Sequence, residues 1–113
     1  MATQSQYLYR ICPARRTMLS EGPTAHEAAV IAEHFDYLQR LVERNVVFLA
    51  GRTLNDDETA FGIVIFAAPS AVAALEIMRS DPAVAKGVMD AELYPYRIAL
   101  WSSRGPAGTA EGA

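Results

Sequence analysis

Two residues, His34 and Asp81, carry the acid–base chemistry that this sequence could support. An imidazole exchanges protons near neutrality, so a histidine can act as a general acid or base. His34 falls between Leu38 and Leu41 on the apolar stripe of a predicted helix, where a core histidine with a hydrogen-bond partner is the alternative. Asp81 precedes Pro82, where it could orient a histidine ring or only cap the turn that follows. Spacing alone does not bring the two side chains together.

Arginine and tyrosine side chains are candidate substrate ligands. Arg15 lies in the first long loop and Arg52 follows a glycine at a strand end. Either guanidinium could bind a carboxylate or phenolate through paired N–H donors, and solvated surface charge is the alternative for both. Tyr37 and Tyr96 could line an aromatic pocket, although packing is the commoner role of tyrosine.

Other site chemistries find no support in the sequence. The acidic run at 56–58 lacks the spacing and the glycine of a calcium loop, so we expect a solvated turn. The two histidines and Cys12 do not form a zinc pattern, and there is neither a phosphate-binding glycine loop nor a serine nucleophile motif. We therefore expect no metal and no cofactor.

Composition limits the class of protein further. The net charge of -3 and the absence of a basic cluster argue against a nucleic-acid partner. No apolar run approaches the roughly 20 residues that span a bilayer, and the N-terminus lacks the features of a signal peptide. A single cysteine suits a reducing compartment. We expect a cytoplasmic protein with no membrane partner and a small-molecule ligand.

The alternation of apolar and polar residues, together with helix-capping residues, defines the helices and strands that must position the candidate site residues. Thr24 and Glu27 match a capping box, and Asn45 is a plausible left-handed helix terminator. The predicted elements are a strand at 6–12, a loop at 14–23, a helix from 24 to about 44, strands at 46–50 and 61–67, a helix at 70–80, a helical turn at 82–86 and a strand at 92–101. The residues predicted to face inward on the two helices are Ala28, Ile31, Phe35, Leu38 and Val42, then Val72, Leu75 and Met78.

The order β-α-β-β-α-β is that of ferredoxin-like α+β folds, with a four-stranded antiparallel sheet. Two helices cover one face of such a sheet, yet the strand at 61–67 is apolar on both sides. We therefore expect a homodimer or higher oligomer, the alternative being that the loop at 14–23 and the C-terminal tail cover the open face. One domain should span residues 1–101, followed by a flexible tail at 102–113.

Several spaced segments together resemble the YCII-related (YciI-like) family over roughly residues 5–101. The matching segments are 34–38 (HFDYL), 46–52 (VVFLAGR), 56–57 (DD), 61–66 (FGIVIF), 81–84 (DPAV) with Gly87, and 93–97 (LYPYR). The resemblance implies a dimeric α+β barrel of ferredoxin-like subunits, and an active-site pair that maps onto His34 and Asp81. The chain departs from the pattern at Asn45, where a glycine often ends the helix, and in its longer loop at 14–23.

The leading hypothesis is a cofactor-free acid–base enzyme, a lyase or isomerase, that acts on a small cyclic or aromatic-derived molecule. His34 would move the proton, Asp81 would hold its ring, and Arg52 would bind a substrate anion. A non-catalytic ligand-binding or dimerisation module and a cofactor-independent monooxygenase are the two alternatives.

Overall fold

The computed structural model describes residues 4–106 and contains the predicted elements in the predicted order. One helical turn, α1, interrupts the segment that was expected to be a loop. The elements are β1 (Ser5–Pro13), α1 (Met18–Glu21), α2 (Ala25–Glu43), β2 (Val47–Arg52), β3 (Gly62–Ala68), α3 (Ala71–Ser80), α4 (Pro82–Ala85) and β4 (Met89–Tyr96). The last strand begins three residues earlier and ends five residues earlier than the sequence predicted.

The four strands form one antiparallel sheet in the order β2-β3-β1-β4. The two central strands are therefore the first and third in sequence, which is the ferredoxin-like arrangement, and the predicted fold class is confirmed. The register opposes Tyr9 to Val64 and Tyr7 to Phe66. A register shift interrupts the pairing of β2 with β3 between Val47 and Leu49.

The hydrophobic core lies between the helices and one face of this sheet. Alternate residues of the central strands point into it, and Tyr9 and Phe66 are both fully buried. The ring of Phe66 meets the Tyr9 ring edge-on at 5.6 Å between centroids. A second, smaller cluster joins Met18 of α1 to Val30 of α2. The helices are thus anchored on one side of the sheet only.

Helix α2 is rotated relative to the sequence prediction. Val30, Leu38 and Leu41 are buried, whereas Ala28 is exposed, Phe35 is 64% exposed and Val42 is 49% exposed. The inward placement of Ala28, Phe35 and Val42 was therefore wrong. The buried stripe passes through position 34, because 30, 34, 38 and 41 share one helical face.

Helix α3 requires a similar correction. Ala74 and Met78 are buried, but Val72 is 77% exposed and does not face the core.

The other face of the sheet carries apolar residues that are only partly covered, together with the Arg10–Glu92 ion pair. Leu49 and Tyr94 on this face are 42% and 44% exposed. The chain that follows β4 returns across it, since the backbone N–H of Ile98 donates to the Gln6 side chain at 2.7 Å. The ring of Trp101 then meets Phe48 at the start of β2. Of the predicted tail, residues 107–113 lie outside the described part of the chain.

Within residues 4–106, no helix combines the length and the apolar character needed to cross a membrane.

Candidate active site

Asp81 lies at the junction of α3 and α4, where its side chain turns into the protein. The residue has extended backbone angles and is the N-cap of α4, with Oδ1 accepting the backbone N–H of Ala83 at 3.0 Å. Pro82 follows as the first residue of α4, a position that suits proline because its missing N–H would have no partner there. The side chain of Asp81 is completely inaccessible to solvent. The capping role expected from sequence is therefore present, and the carboxylate has further partners.

His34 reaches this carboxylate from the middle of α2. Its Nδ1 lies 2.8 Å from both Oδ1 and Oδ2 of Asp81, and its side chain is 14% exposed. A carboxylate can only accept hydrogen bonds, so Nδ1 carries the proton and Nε2 is the ring nitrogen left available. The two residues that sequence spacing could not connect thus form a hydrogen-bonded pair.

Tyr9 is a third member of this cluster, and the sequence interpretation missed it as a partner of Asp81. Its hydroxyl donates to Oδ2 of Asp81 at 2.8 Å. Burial, followed by the negative charge of Asp81, raises the pKa of Tyr9 well above its ordinary value, so the hydroxyl stays protonated. The available signal was an inward-facing tyrosine on a central strand, since a buried hydroxyl needs a partner.

Beside the pair lies a cavity of about 220 Å³ between α2, the α1 segment and the β2–β3 edge of the sheet. His34 and Arg52 are the only ionisable side chains among the described residues that line it. The other lining residues are Ile11, Pro13, Met18, Leu19, Ile31, Leu38, Ala50, Gly51, Ala60, Phe61, Gly62, Ile63, Val64 and Met89. A mostly apolar cavity with few convergent polar groups is typical of a small-molecule site.

Arg52, predicted as a substrate ligand, ends β2 at the rim of this cavity. Its Nε donates to the backbone oxygen of Thr53 at 2.8 Å, and the residue is exposed. That contact uses one of the five guanidinium N–H groups, so the remaining donors can meet an anion.

Arg15, also predicted as a substrate ligand, lies outside the cavity lining and is occupied by protein groups. Its Nε and one terminal nitrogen donate to the two Glu27 carboxylate oxygens at 2.9 and 2.7 Å. It also donates to Glu21 and to the backbone oxygen of Gly22. These contacts fix residues 14–23, hereafter the wall segment, which contributes Met18 to the cavity. The role of Arg15 as a substrate ligand stays a prediction.

Glu27 links the wall segment to the start of α2. It completes the predicted capping box with Thr24, since its carboxylate accepts the Thr24 backbone N–H and its own N–H donates to the Thr24 hydroxyl. The Arg15 hydrogen bonds, followed by that backbone donor, lower the pKa of Glu27 to about 2.

The two predicted tyrosine ligands are placed away from the cavity lining. The Tyr37 hydroxyl donates to the backbone oxygen of Ile77 at 2.7 Å, and burial and the Asp81 charge raise the pKa of Tyr37 to about 12. Tyr96 is paired with Gln6 on the open face of the sheet and is 43% exposed. Neither structural position tests ligand binding, so both roles stay predictions.

The acidic run at 56–58 forms an exposed turn. Asp57 accepts hydrogen bonds from Asn55 and Thr59, and these lower the pKa of its carboxyl group, the Thr59 side chain contributing most. In the part of the chain that the structure describes, no group of three His, Cys, Asp or Glu side chains is placed to hold a metal ion.

Known proteins match this chain in family and in fold. The family model for the YCII-related domain matches residues 8–97. A solved structure of 5-chloro-2-hydroxyhydroquinone dehydrochlorinase from Burkholderia phenoliruptrix, in complex with 2,5-dihydroxybenzoquinone, is 18% identical, with a TM-score of 0.61 over 81% of this chain and 93% of that chain. An uncharacterized protein from Thermotoga maritima is 10% identical, with a TM-score of 0.52 over 84% of this chain and all of that one. No curated protein matches the chain. At these identities the structural likeness shows the fold alone.

Proposed function

The chain belongs to the YCII-related domain family, and from that premise we propose that it is a cofactor-free acid–base enzyme of the lyase type. Its substrate is a small cyclic molecule related to hydroxylated aromatic compounds. The observation that carries the proposal is the His34–Asp81 pair, with Nδ1 at 2.8 Å from the carboxylate and the imidazole on the wall of an apolar cavity. An isomerase that moves a proton within the same kind of substrate is the nearest variant of this chemistry.

His34 acts as the general base in this proposal. Its Nε2 takes a proton from a hydroxyl group or an acidic carbon of the substrate. The electron pair released forms a new double bond in the ring system, and the leaving group departs with the electrons of its own bond. Asp81 holds the ring in the Nδ1–H tautomer and stabilises the imidazolium that forms, which is the part an aspartate takes in the serine protease triad.

The lining of the cavity favours a largely apolar substrate with one acidic oxygen. Apart from His34, Arg52 and Phe61, its walls are aliphatic, so burial of a hydrocarbon ring is favourable there by about 25 cal/mol for each Å² removed from water. Arg52 would bind a phenolate or enolate oxygen at the rim. The structural neighbour that eliminates chloride from a chlorinated hydroxyhydroquinone is consistent with this substrate class.

Turnover of chlorinated hydroxyhydroquinones, followed by chloride release, tests the proposal. His34→Gln should reduce kcat/KM by a factor of about 10² or more, the ordinary loss when a general base is removed. His26→Gln is the matched control, because His26 is exposed on the first turn of the same helix.

Arg52→Gln should raise KM more than it lowers kcat, because Arg52 would bind the substrate anion in the ground state. Equal activity of the wild type and His34→Gln on every substrate turned over would refute the proposal. Oxygen consumption during turnover would indicate the monooxygenase chemistry instead.

We further propose that the chain works as a homodimer that buries the open face of its sheet, and that it does so in the cytoplasm. Leu49, Tyr94 and Trp101 together leave apolar surface exposed on this side. Leu49→Glu should lower the mass measured by light scattering to that of a 12.3 kDa monomer. Val72→Glu is the control, because Val72 is an exposed residue of α3, and it should leave the mass unchanged. A wild-type monomer at micromolar concentration would overturn the proposal.

A further inference from the structure

Asp81 is a buried carboxylate with donors on both oxygens, and only one of these donors belongs to the proposed chemistry. Oδ1 accepts the Ala83 backbone N–H, Oδ2 accepts the Tyr9 hydroxyl, and His34 Nδ1 lies within 2.8 Å of each oxygen. The Ala83 donor caps a helix. The Tyr9 donor comes from the other side of the core, 72 residues away along the chain, and the acid–base step does not itself require it.

We propose that Tyr9 is a positioning residue for the His34–Asp81 pair, whose hydroxyl holds Oδ2 of Asp81 and thereby keeps Nε2 of His34 free of a proton. The catalytic consequence of this role rests on the proposed function, while the effect on the imidazole does not.

The position of the Tyr9 hydroxyl is fixed by its surroundings. Tyr9 lies on a central strand, is completely buried and meets the Phe66 ring edge-on at 5.6 Å. A ring packed in this way has no space in which to swing its hydroxyl away, because protein interiors are close-packed. Burial and the Asp81 charge also raise the pKa of Tyr9, so the group donates rather than ionises.

The effect on His34 follows from how the carboxylate is held. An imidazole keeps its single proton on the ring nitrogen that faces an acceptor, here Nδ1 at 2.8 Å from both oxygens of Asp81. The Tyr9 hydroxyl and the Ala83 N–H fix the orientation in which both oxygens face Nδ1. Loss of that orientation lets the proton move to Nε2, which removes the base.

Tyr9 does not line the cavity, so it acts only through Asp81. Its removal should therefore affect the chemical step more than substrate binding. With a chlorinated hydroxyhydroquinone as the probe, Tyr9→Phe should lower kcat and leave KM within a factor of two.

The deciding experiment observes the imidazole directly and needs no substrate. Long-range ¹H–¹⁵N spectra at pH 8 report the protonation of both ring nitrogens through the carbon-bound ring protons. The chain has two histidines, so His26→Gln assigns the signals of His34. In the wild type, Nε2 should resonate as an unprotonated nitrogen, and in Tyr9→Phe its resonance should move toward the protonated position.

Tyr7→Phe is the matched control. Tyr7 lies two residues earlier on the same face of β1, is also buried and also packs near Phe66, at 6.0 Å between ring centroids. Its hydroxyl makes no hydrogen bond to a residue that the structure describes, so the Nε2 resonance should stay at its wild-type position. An unchanged resonance in Tyr9→Phe, or equal movement in both variants, would overturn the role proposed for Tyr9.

If Tyr9→Phe does not fold, the wild-type chain still provides a test. A Tyr9 hydroxyl that donates to a buried carboxylate should give a slowly exchanging proton signal downfield of the amide region, with cross-relaxation to its own ring. Absence of that signal at low temperature would contradict the contact. Loss of turnover in His34→Gln bears on the proposed function and leaves this result untouched.

Discussion

Replacing Asp81 by alanine or by asparagine separates its structural role from its chemical role. Alanine removes every acceptor, and leaves the Tyr9 hydroxyl and the Ala83 N–H buried without a partner. An unsatisfied buried donor costs about 1–3 kcal/mol. Removing a carboxylate that has no solvent access recovers part of its desolvation cost. We expect Asp81→Ala to lower the free energy of unfolding by about 2–5 kcal/mol.

Asparagine preserves the hydrogen-bond count but reverses the direction of two hydrogen bonds, those with Tyr9 and His34. Its carbonyl oxygen can still cap α4, since asparagine and aspartate are about equally good N-caps. Its amide N–H groups can donate to the Tyr9 oxygen and to His34 Nδ1. Asp81→Asn should therefore cost only about 1 kcal/mol in stability. Nδ1 must now accept, so the proton moves to Nε2 and the general base is lost. In the serine protease triad the same exchange lowers kcat about 10⁴-fold with the geometry intact.

Urea unfolding followed by circular dichroism, at one protein concentration, measures the stability difference, and the long-range ¹H–¹⁵N spectra report the tautomer. Equal destabilisation by alanine and asparagine would show that the count of satisfied donors does not govern stability here. An Asp81→Asn variant that retains an unprotonated Nε2 would refute the assignment of Asp81 as the group that orients the imidazole.

Two further predictions concern the walls of the cavity. In Gly62→Ala the added Cβ would lie 3.0 Å from the Gly51 backbone oxygen, so we expect the free energy of unfolding in urea to fall by about 1–3 kcal/mol. Gly51→Ala is the control, because its Cβ meets nothing within 4 Å, and it should change stability by less than about 0.5 kcal/mol. An equal loss in both variants would contradict the steric argument. The pKa of Glu27 is lowered to about 2 from 4.5, so the stability that its ionised form contributes is complete above pH 4.5 and is lost as the pH falls toward 2. Protection factors of the α1 amides, which correct for the intrinsic pH dependence of exchange, should fall across that interval in the wild type. Glu27→Gln should lack this fall, and the same fall in both proteins would show that another group is responsible.

The elements of the fold were predictable because their signals are local. The Thr24–Glu27 capping box and the left-handed backbone of Asn45, with φ of 59°, are both present as predicted. The rotation of α2 was not predictable from apolar spacing, because the stripe through Phe35 and Val42 and the stripe through Val30 and Leu41 are similarly periodic. The polar contact of His34 favours the second stripe, and this contact depends on a partner distant in sequence.

The candidate site was predictable in its residues but not in its connections. His34 and Asp81 were proposed from residue type and from the family resemblance, and the structure joins them directly. Tyr9 could not be assigned to Asp81, since 72 residues separate them and any inward tyrosine of β1 would have served equally well. Arg15 illustrates the opposite case, because an arginine beside a cavity and an arginine that anchors a loop have the same sequence signature.

The wall segment has a consequence for how this fold can diversify. The guanidinium of Arg15 closes the segment on partners no more than 12 residues away, so the hydrogen bonds of that guanidinium are local. Lengthening or shortening a loop costs little entropy, so the part of the segment that Arg15 closes can vary in length. Exchange of this segment between related chains would then alter which molecules enter the cavity while the Tyr9–Asp81–His34 cluster beneath stays intact. Substrate range and proton chemistry can thus change independently of each other.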